Sequence, residues 1–553
     1  DAVRRTGWTH DHLISIQGGG ERARFRTSLG YYKQTGTIIK QGLRRFTGNM
    51  NLEYNVSKRL MFASEFSITY TDNDKNYSDG SVDGLLSIAY RKMPNASIYR
   101  RDAQGRATNE YFNIAQNSVL NSDQKDLANP VAIARLASYQ QTNMRIMPTL
   151  RLRYDFLDPD DGARLRYQGY VKFDSENVKD TKFRPRETST KQWTDGVVNR
   201  SYQRESEAMT IYTDHNMTWV PRLGDDHSLM LYGSWQMDIS RSKIQQFERY
   251  GLPSTVGTDV SMGGRMVPES FYSAKNQGRN MAFLVNGHYM LLDRYIIDAS
   301  ARWDGSSRFG SDNRWGFFPS VSGKWIFTSE PWMKRASEKW FSEGSLRVGW
   351  GITGNRPDYE YLYFSRYDSY GSNYIDLPTI KPSSLQLSNL KWERSSSVNV
   401  GAEFSFLNYK YRLVLNAYHR RTTDLLFSNQ TIPSSTGFSS ISYINAGTMD
   451  NNGWELEFST NRMVKKGDWQ FDVNVNLSNY RNTIKELDPM VLSTYQAEFS
   501  PENGSYLNRI QIENSFGSIY GFRYKGVYQY DKYSATENPG VSGPNAPVVR
   551  DAD

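Results

Sequence analysis

The chain has 553 residues, with 67 Lys+Arg against 59 Asp+Glu for a formal net charge of +8, 14% aromatic residues and no cysteine. Those figures exclude a disulfide or thiolate-metal scaffold, and so aromatic a composition excludes intrinsic disorder. The longest apolar run, Met281–Val285, falls far short of the roughly 20 residues a helix needs to cross a bilayer, so transmembrane helices are excluded.

In chain order, the first recurring signal is alternation with period two. His10 and His12 share one strand face near the start and would need a third ligand to bind metal; the competing reading is a polar rim position. From Phe46 to Val56, the residues Phe46, Met50, Leu52, Tyr54 and Val56 line one face, and Thr47, Asn49, Asn51, Glu53 and Asn55 the other. Leu60–Thr71 repeats the pattern. The run after it places Asp72, Asp74, Asn76 and Ser78 at the 1, 3, 5, 7 spacing of a calcium loop. Tyr77 stands where such a loop needs glycine and Asp83 where a bidentate Glu is usual, so a solvated loop exit competes with calcium. A long loop follows to about Gln141, then a strand at Thr149–Phe156. The turn Leu157–Ala163 holds Asp158, Asp160 and Asp161 between Pro159 and Gly162, which reads as turn chemistry rather than an acid–base cluster.

Further along, long loops are expected over Asn177–Arg204, Lys243–Asn276, Gly354–Lys391, Ser428–Asn452 and Arg481–Gln511, against short turns at Asn55–Arg59, Val220–Asp226 and Lys465–Asp468. The loops carry Trp193, Tyr272, Tyr361, Tyr363, Tyr370 and Tyr374, which either stack on sugar rings or pack the loops and the interfacial belt. Strands are expected at Tyr295–Asp304, Val398–Phe406, Tyr409–Tyr418 and Trp469–Ser478, and a short amphipathic helix at Glu330–Glu343.

About sixteen such segments of roughly 9–15 residues exceed the usual strand of about 5–6. A tilted strand needs about 9–11 residues to cross a bilayer, and short turns on one rim with long loops on the other mark a transmembrane antiparallel β-barrel. The fold class is therefore all-β, with extracellular loops, periplasmic turns, lipid against the apolar face and a wet lumen. A soluble carbohydrate-binding or hydrolytic β-protein is the alternative, and it would show shorter, regularly spaced strands. Basic pairs such as Arg44–Arg45 and Arg420–Arg421 are scattered among acids, which is not the footprint of nucleic-acid binding; a solvated exterior or contact with anionic headgroups fits better. No catalytic motif of the H-E-x-x-H, P-loop or G-x-S-x-G kind occurs, so no catalytic residue and no enzyme activity is expected.

The stretch Arg302–Met333 (R-W-D-G-S-S-R-F-G-S-D-N-R-W-G-F-F-P-S-V-S-G-K-W-I-F-T-S-E-P-W-M) resembles the signature of the SusC/RagA-like TonB-dependent transporters. Leu346–Asn355, Leu390–Phe406, Asn445–Glu457, Asp11–Gly36 and Ser515–Gln529 are similar to further motifs of that family, in its order. The resemblance implies a 22-stranded outer-membrane barrel around a plug, a SusD-like surface lipoprotein as partner, TonB as the energy source, and oligosaccharide or peptide cargo. A passive channel or a siderophore-type receptor is the alternative function. Asp1-Ala2-Val3-Arg4-Arg5 lacks an initiator Met and an apolar leader core, as in a processed chain or an interior piece of a longer one. With about sixteen strands against the family's 22, the resemblance implies that residues 1–553 are a partial barrel domain, with plug, TonB box and closing strands outside it. An open-edged sheet of that kind is expected not to insert alone, because unpaired backbone in lipid costs several kcal/mol per group.

Overall fold

The computed structural model describes residues 2–78, 84–113, 124, 127–158, 162–189, 198–252, 265–266, 271–333, 340–374, 377–462, 464–494, 507–508, 510–520 and 524. Among them, sixteen long strands form one antiparallel meander in which each strand pairs with the next. They are β1 (Trp8–Gly19), β2 (Ala23–Thr35), β3 (Gly42–Asn55), β4 (Leu60–Lys75), β5 (Ser138–Asp155), β6 (Arg164–Arg184), β7 (Arg200–Val220) and β8 (His227–Tyr250). The second half is β9 (Tyr272–Leu291), β10 (Tyr295–Ser306), β11 (Trp315–Trp325), β12 (Phe341–Asn355), β13 (Glu393–Phe406), β14 (Tyr411–Thr423), β15 (Gly447–Thr460) and β16 (Asn474–Leu487). A two-residue strand, Arg265–Met266, adds to β8.

The register explains the alternation. Ile297 of β10 faces Gly323 of β11, which faces Val348 of β12, then Val400 of β13, Ala417 of β14 and Trp454 of β15. This row is apolar yet open: Ile297 is 51% exposed, Val348 55% and Val400 51%. An apolar face this extensive left uncovered marks a surface made for another apolar phase. Trp315 and Trp325 stand at opposite ends of β11 on that face. Ten rises of about 3.3 Å, at the roughly 40° tilt of barrel strands, separate them by about 25 Å along the membrane normal, the height of an outer-membrane apolar band between its aromatic girdles.

The loop asymmetry is also present. Residues 20–22, 292–294 and 407–410 join strands at one rim, whereas 76–137 and 356–392 do so at the other. The tight turns use left-handed backbone: Leu292 and Asp293 have φ of 54° and 51°, the two positive values a type I′ hairpin needs. The loop 76–137 builds a small core of its own, in which α1 (Leu85–Arg91) and α2 (Pro130–Leu136) bury Leu85, Ile88, Val131 and Ile133 against Val3 and Ile38. Asn129 starts α2, its Oδ1 accepting from the amides of Val131 (3.0 Å) and Ala132 (3.2 Å).

A second core sits over the wall. Phe309, Phe318, Leu362, Leu387, Leu390, Trp392 and Tyr443 bring together loops 307–314 and 356–392 and the hairpin strand Ser440–Asn445. Phe318 lies across Gly316 and Gly354, and a Cβ at Gly354 would fall on the Phe318 ring. Gly354→Val is therefore expected to lower barrel stability by about 1–3 kcal/mol through overpacking, read as a lower unfolding midpoint in detergent. Unchanged stability would mean that the ring moves freely.

The loops expected at Asn177–Arg204 and Lys243–Asn276 are shortened, since strands run to Arg184 and Tyr250 and resume at Arg200 and Tyr272. One expected strand and one expected helix also need correction. Trp469–Ser478 is not one strand: Trp469–Phe471 pairs with Val464–Lys466 in a separate hairpin, and β16 begins at Asn474. The break lies at Asp472, whose carboxylate accepts from the Arg462 amide (2.5 Å) instead of leaving the backbone to continue the ladder. Glu330–Glu343 does not form one helix, since Pro331–Met333 is a single 3-10 turn and Glu343 lies in β12; residues 334–339 lie outside the described residues. Glu330 turns back to the wall, its Oε1 accepting from the Tyr295 hydroxyl (2.5 Å) and Trp325 Nε1 (3.0 Å), which holds its carboxyl below the usual range.

Candidate functional site

The inner face is lined by polar side chains in ion-paired rows. Arg145 grips Asp174 with two bonds (2.8 and 2.6 Å), Arg166 grips Asp155 (2.6 and 3.1 Å), and Arg412 bridges Glu403 (2.6 Å) and Glu457 (3.3 Å). The more exposed of these pairs, Arg145–Asp174 and Arg412–Glu403, contribute only about 0–1 kcal/mol each to stability. Their physical consequence is a wettable wall.

On the upper half of this wall a cavity of ≈ 630 Å³ is lined by Tyr212 of β7, Gln236 and Asp238 of β8, Asn280 of β9, Arg302 and Asp304 of β10, Phe318 of β11, Thr353 of β12, and Arg356 and Trp392 beyond the strands. Four strands separate Tyr212 from Thr353 in the sheet order, so the wall must curl for both to line one cavity. Arg302 holds Asp304 through two bonds (2.7 and 2.8 Å) and reaches Gln236 Oε1 (3.3 Å). The Gln236 amide in turn donates to Asp214 (2.9 Å). Asn280 donates to Asp238 (2.7 Å) and accepts from Ser306 (2.8 Å) and Arg356.

Each polar group is thus oriented by another, which makes the wall a preorganised set of donors and acceptors. Arg302 and Arg356 balance Asp238 and Asp304, so the cavity suits a hydrophilic solute without a large net charge. The aromatic faces of Tyr212, Phe318 and Trp392 add flat apolar surface. Burial, then neighbouring Arg308, push the Arg356 guanidinium below its ordinary value, so an incoming acceptor relieves a charge that is costly where it stands.

Arg308 fixes the roof. Its Nε donates to Glu360 (2.7 Å) and its Nη1 to the Pro357 carbonyl (2.7 Å), tying loop 356–392 to the wall beside fully buried Phe309.

Of the residues singled out from sequence, Tyr272 opens β9 in register with Gln246 at the loop-side rim and is exposed. Tyr361 serves packing: its hydroxyl accepts from the Gln277 amide (2.9 Å), and Tyr363 packs on Phe364 with ring centroids 4.2 Å apart. Trp193 and the side chains of Tyr370 and Tyr374 lie outside the described residues, although the backbone of the latter two belongs to the strand Arg366–Tyr374. Asp72 and Asp74 do not enter a loop, because β4 runs through them to Lys75; Asp72 accepts from Arg44 (2.5 Å) and Gln140 (3.0 Å). Asn76 and Ser78 follow the strand, and Asp79, Gly80 and Asp83 lie outside the described residues. His10 and His12 do share a face, their rings 6.4 Å apart, and no group of three metal-ligating acids or histidines occurs among the described residues. The residues missed are those that line the cavity, among them Tyr212, Gln236, Asp238, Asn280, Arg302 and Asp304. Alternation within R-W-D-G already sends Arg302 and Asp304 to the face opposite Trp303, which was the signal available.

A long antiparallel meander with an apolar exterior, aromatic girdles and a wet interior defines a transmembrane β-barrel of the bacterial outer membrane. The sequence model described as TonB dependent receptor-like, beta-barrel matches residues 89–547, and the chain belongs to that family. It is 26% identical to TonB-dependent receptor P39 of Formosa agariphila over 98% of this chain and 48% of that protein. It is 27% identical to TonB-dependent receptor SusC of Bacteroides thetaiotaomicron over 90% of this chain and 49% of that one. The chain therefore spans about half the length of the curated relatives it matches. The RagAB peptide transporter structure shares the fold with a TM-score of 0.70 and 20% identity, covering 93% of this chain and 54% of that one.

Proposed function

We propose that the whole protein imports a hydrophilic nutrient, an oligosaccharide or a peptide, across the outer membrane, energised by TonB and working with a SusD-like surface lipoprotein. The single observation that carries this reading is the charge-balanced cavity on the lumen wall, with its hydrogen-bonded Arg302–Asp304 and Asn280–Asp238 sets beside aromatic faces. Family membership and the likeness to a receptor named SusC and to a structure titled a peptide transporter support it. Cargo would dock beneath the loops, and TonB-coupled movement would open a path along the polar wall.

Deleting the full-length gene, or dissipating the proton gradient in cells that carry it, should reduce uptake of one such oligosaccharide or peptide at least tenfold. Uptake that survives both treatments contradicts the proposal. Steady conductance of the purified protein in planar bilayers without TonB would favour a passive channel instead.

A further inference from the structure

The outward face changes character at one height on two neighbouring strands. Going up β8, its outward residues are Leu231, Trp235, Met237 and Ile239, then Arg241 and Lys243; coming down β9 they are Lys275, Gln277 and Arg279, then Met281, Phe283 and Val285. Register sets Lys243 directly opposite Lys275, Arg241 opposite Gln277 and Ile239 opposite Arg279, so Arg241 is diagonal to both Lys275 and Arg279. Four cations crowd three adjacent rungs. Like charges directly opposite each other destabilise an antiparallel pair.

The nearest acid in register, Glu207 of β7, stands opposite Lys243. No ion pair within 4.0 Å joins any of the four cations to a carboxylate among the described residues. Arg279 instead meets the side-chain oxygen of Gln277 (3.0 and 3.1 Å) when that amide is turned toward it, and its own backbone is fixed by the Ser307 hydroxyl (2.9 Å). Beside the quartet, a cleft of ≈ 550 Å³ is lined by the outward Met237, Ile239, Met281 and Trp315, by Gln277, Arg279 and Arg314, and by Tyr361 and Tyr363 of loop 356–392.

Apolar groove below and unmatched cations above, at the height of the Trp315 girdle, is the order in which an outer-leaflet lipid presents its chains and its phosphate. Arginine and lysine clusters at such a boundary recognise phosphate through charge-assisted hydrogen bonds. We propose that this patch is a binding site for a phosphorylated glycolipid of the outer leaflet. Its phosphate sits among Arg241, Lys243, Lys275 and Arg279, and one acyl chain lies along Met237, Ile239 and Met281. The bound phosphate cancels the Lys243–Lys275 repulsion, so the lipid acts as a structural component of the wall beneath loop 356–392.

The test uses the full-length protein, purified folded in detergent and offered vesicles containing bisphosphorylated lipid A or its dephosphorylated form. Wild type should retain the phosphorylated lipid at least tenfold better than the dephosphorylated one, and millimolar inorganic phosphate should not displace it. The variant R241Q/K243Q/K275Q/R279Q should lose that preference. The milder K243Q/K275Q should weaken retention while raising the unfolding midpoint in lipid-free detergent, which guards against a quadruple variant that fails to fold. Equal retention of the two lipids, displacement by phosphate alone, or full retention by K243Q/K275Q overturns the proposal.

Discussion

Val321→Arg is expected to destabilise the folded barrel by about 2–4 kcal/mol, the cost of a guanidinium near the bilayer midplane on a lipid-facing position. Val321 lies midway between Trp315 and Trp325 on β11, is 46% exposed, and stands in register with Ala299 and Trp350. The adjacent Ser322→Arg turns to the lumen opposite Asp298 and should cost less than about 1 kcal/mol, since charged substitutions there meet water and an acid. Unfolding of the full-length protein in phospholipid vesicles, followed by the gel shift between folded and unfolded forms, measures both. Equal costs for the two neighbours would mean that both faces of β11 meet the same medium.

Arg308→Ala is expected to have the next largest effect, about 3–5 kcal/mol, because it leaves the largely shielded Glu360 carboxylate without its ion-pair partner. The two side chains are 21% and 12% exposed and 2.7 Å apart, so the pair is well shielded from solvent. The loss should be concentrated in loop 356–392, which Arg308 also holds through the Pro357 carbonyl. Limited proteolysis should cut that loop at least tenfold faster in the variant, while the β1–β4 wall resists as before. Arg308→Ala with Glu360→Ala should recover part of the loss, since no charge is then stranded. A variant that is cleaved at the wild-type rate would remove Arg308 as the clamp of the roof.

Much of the wall was legible because each strand faces two different solvents. Val398, Val400 and Ala402 alternate with Asn399 and Gly401 in sequence as they do in space. The sequence reading failed where that contrast disappears. Above the apolar band, the outward row Asn177, Glu207, Lys243 and Lys275 is polar like the inward one, so β6–β9 continue through residues expected to be loop. The loop aromatics were readable as residues but not as roles: Tyr361 holds its loop to β9 through a backbone amide that only the fold brings near. The cavity residues come from six strands, and no local pattern marks which inward positions of separate strands converge once the wall curls. In R-W-D-G-S-S-R-F, a stretch singled out for resemblance, the structure gives five of the eight residues distinct work: Arg302 and Asp304 line the cavity, Trp303 faces outward, and Arg308 and Phe309 anchor the roof.

Residues 1–553 contain no cysteine to compete with one introduced among them for the decisive measurement. Single cysteines placed in turn at positions 346 to 350 of β12, in the full-length protein within intact outer membranes, would be challenged with a water-soluble maleimide. Replacements of Arg347 and Gly349 should react rapidly, and those of Leu346, Val348 and Trp350 at least tenfold more slowly, because acyl chains cover them. Uniform labelling, or the opposite phase, would contradict the assignment of lipid to one side of the sheet and water to the other.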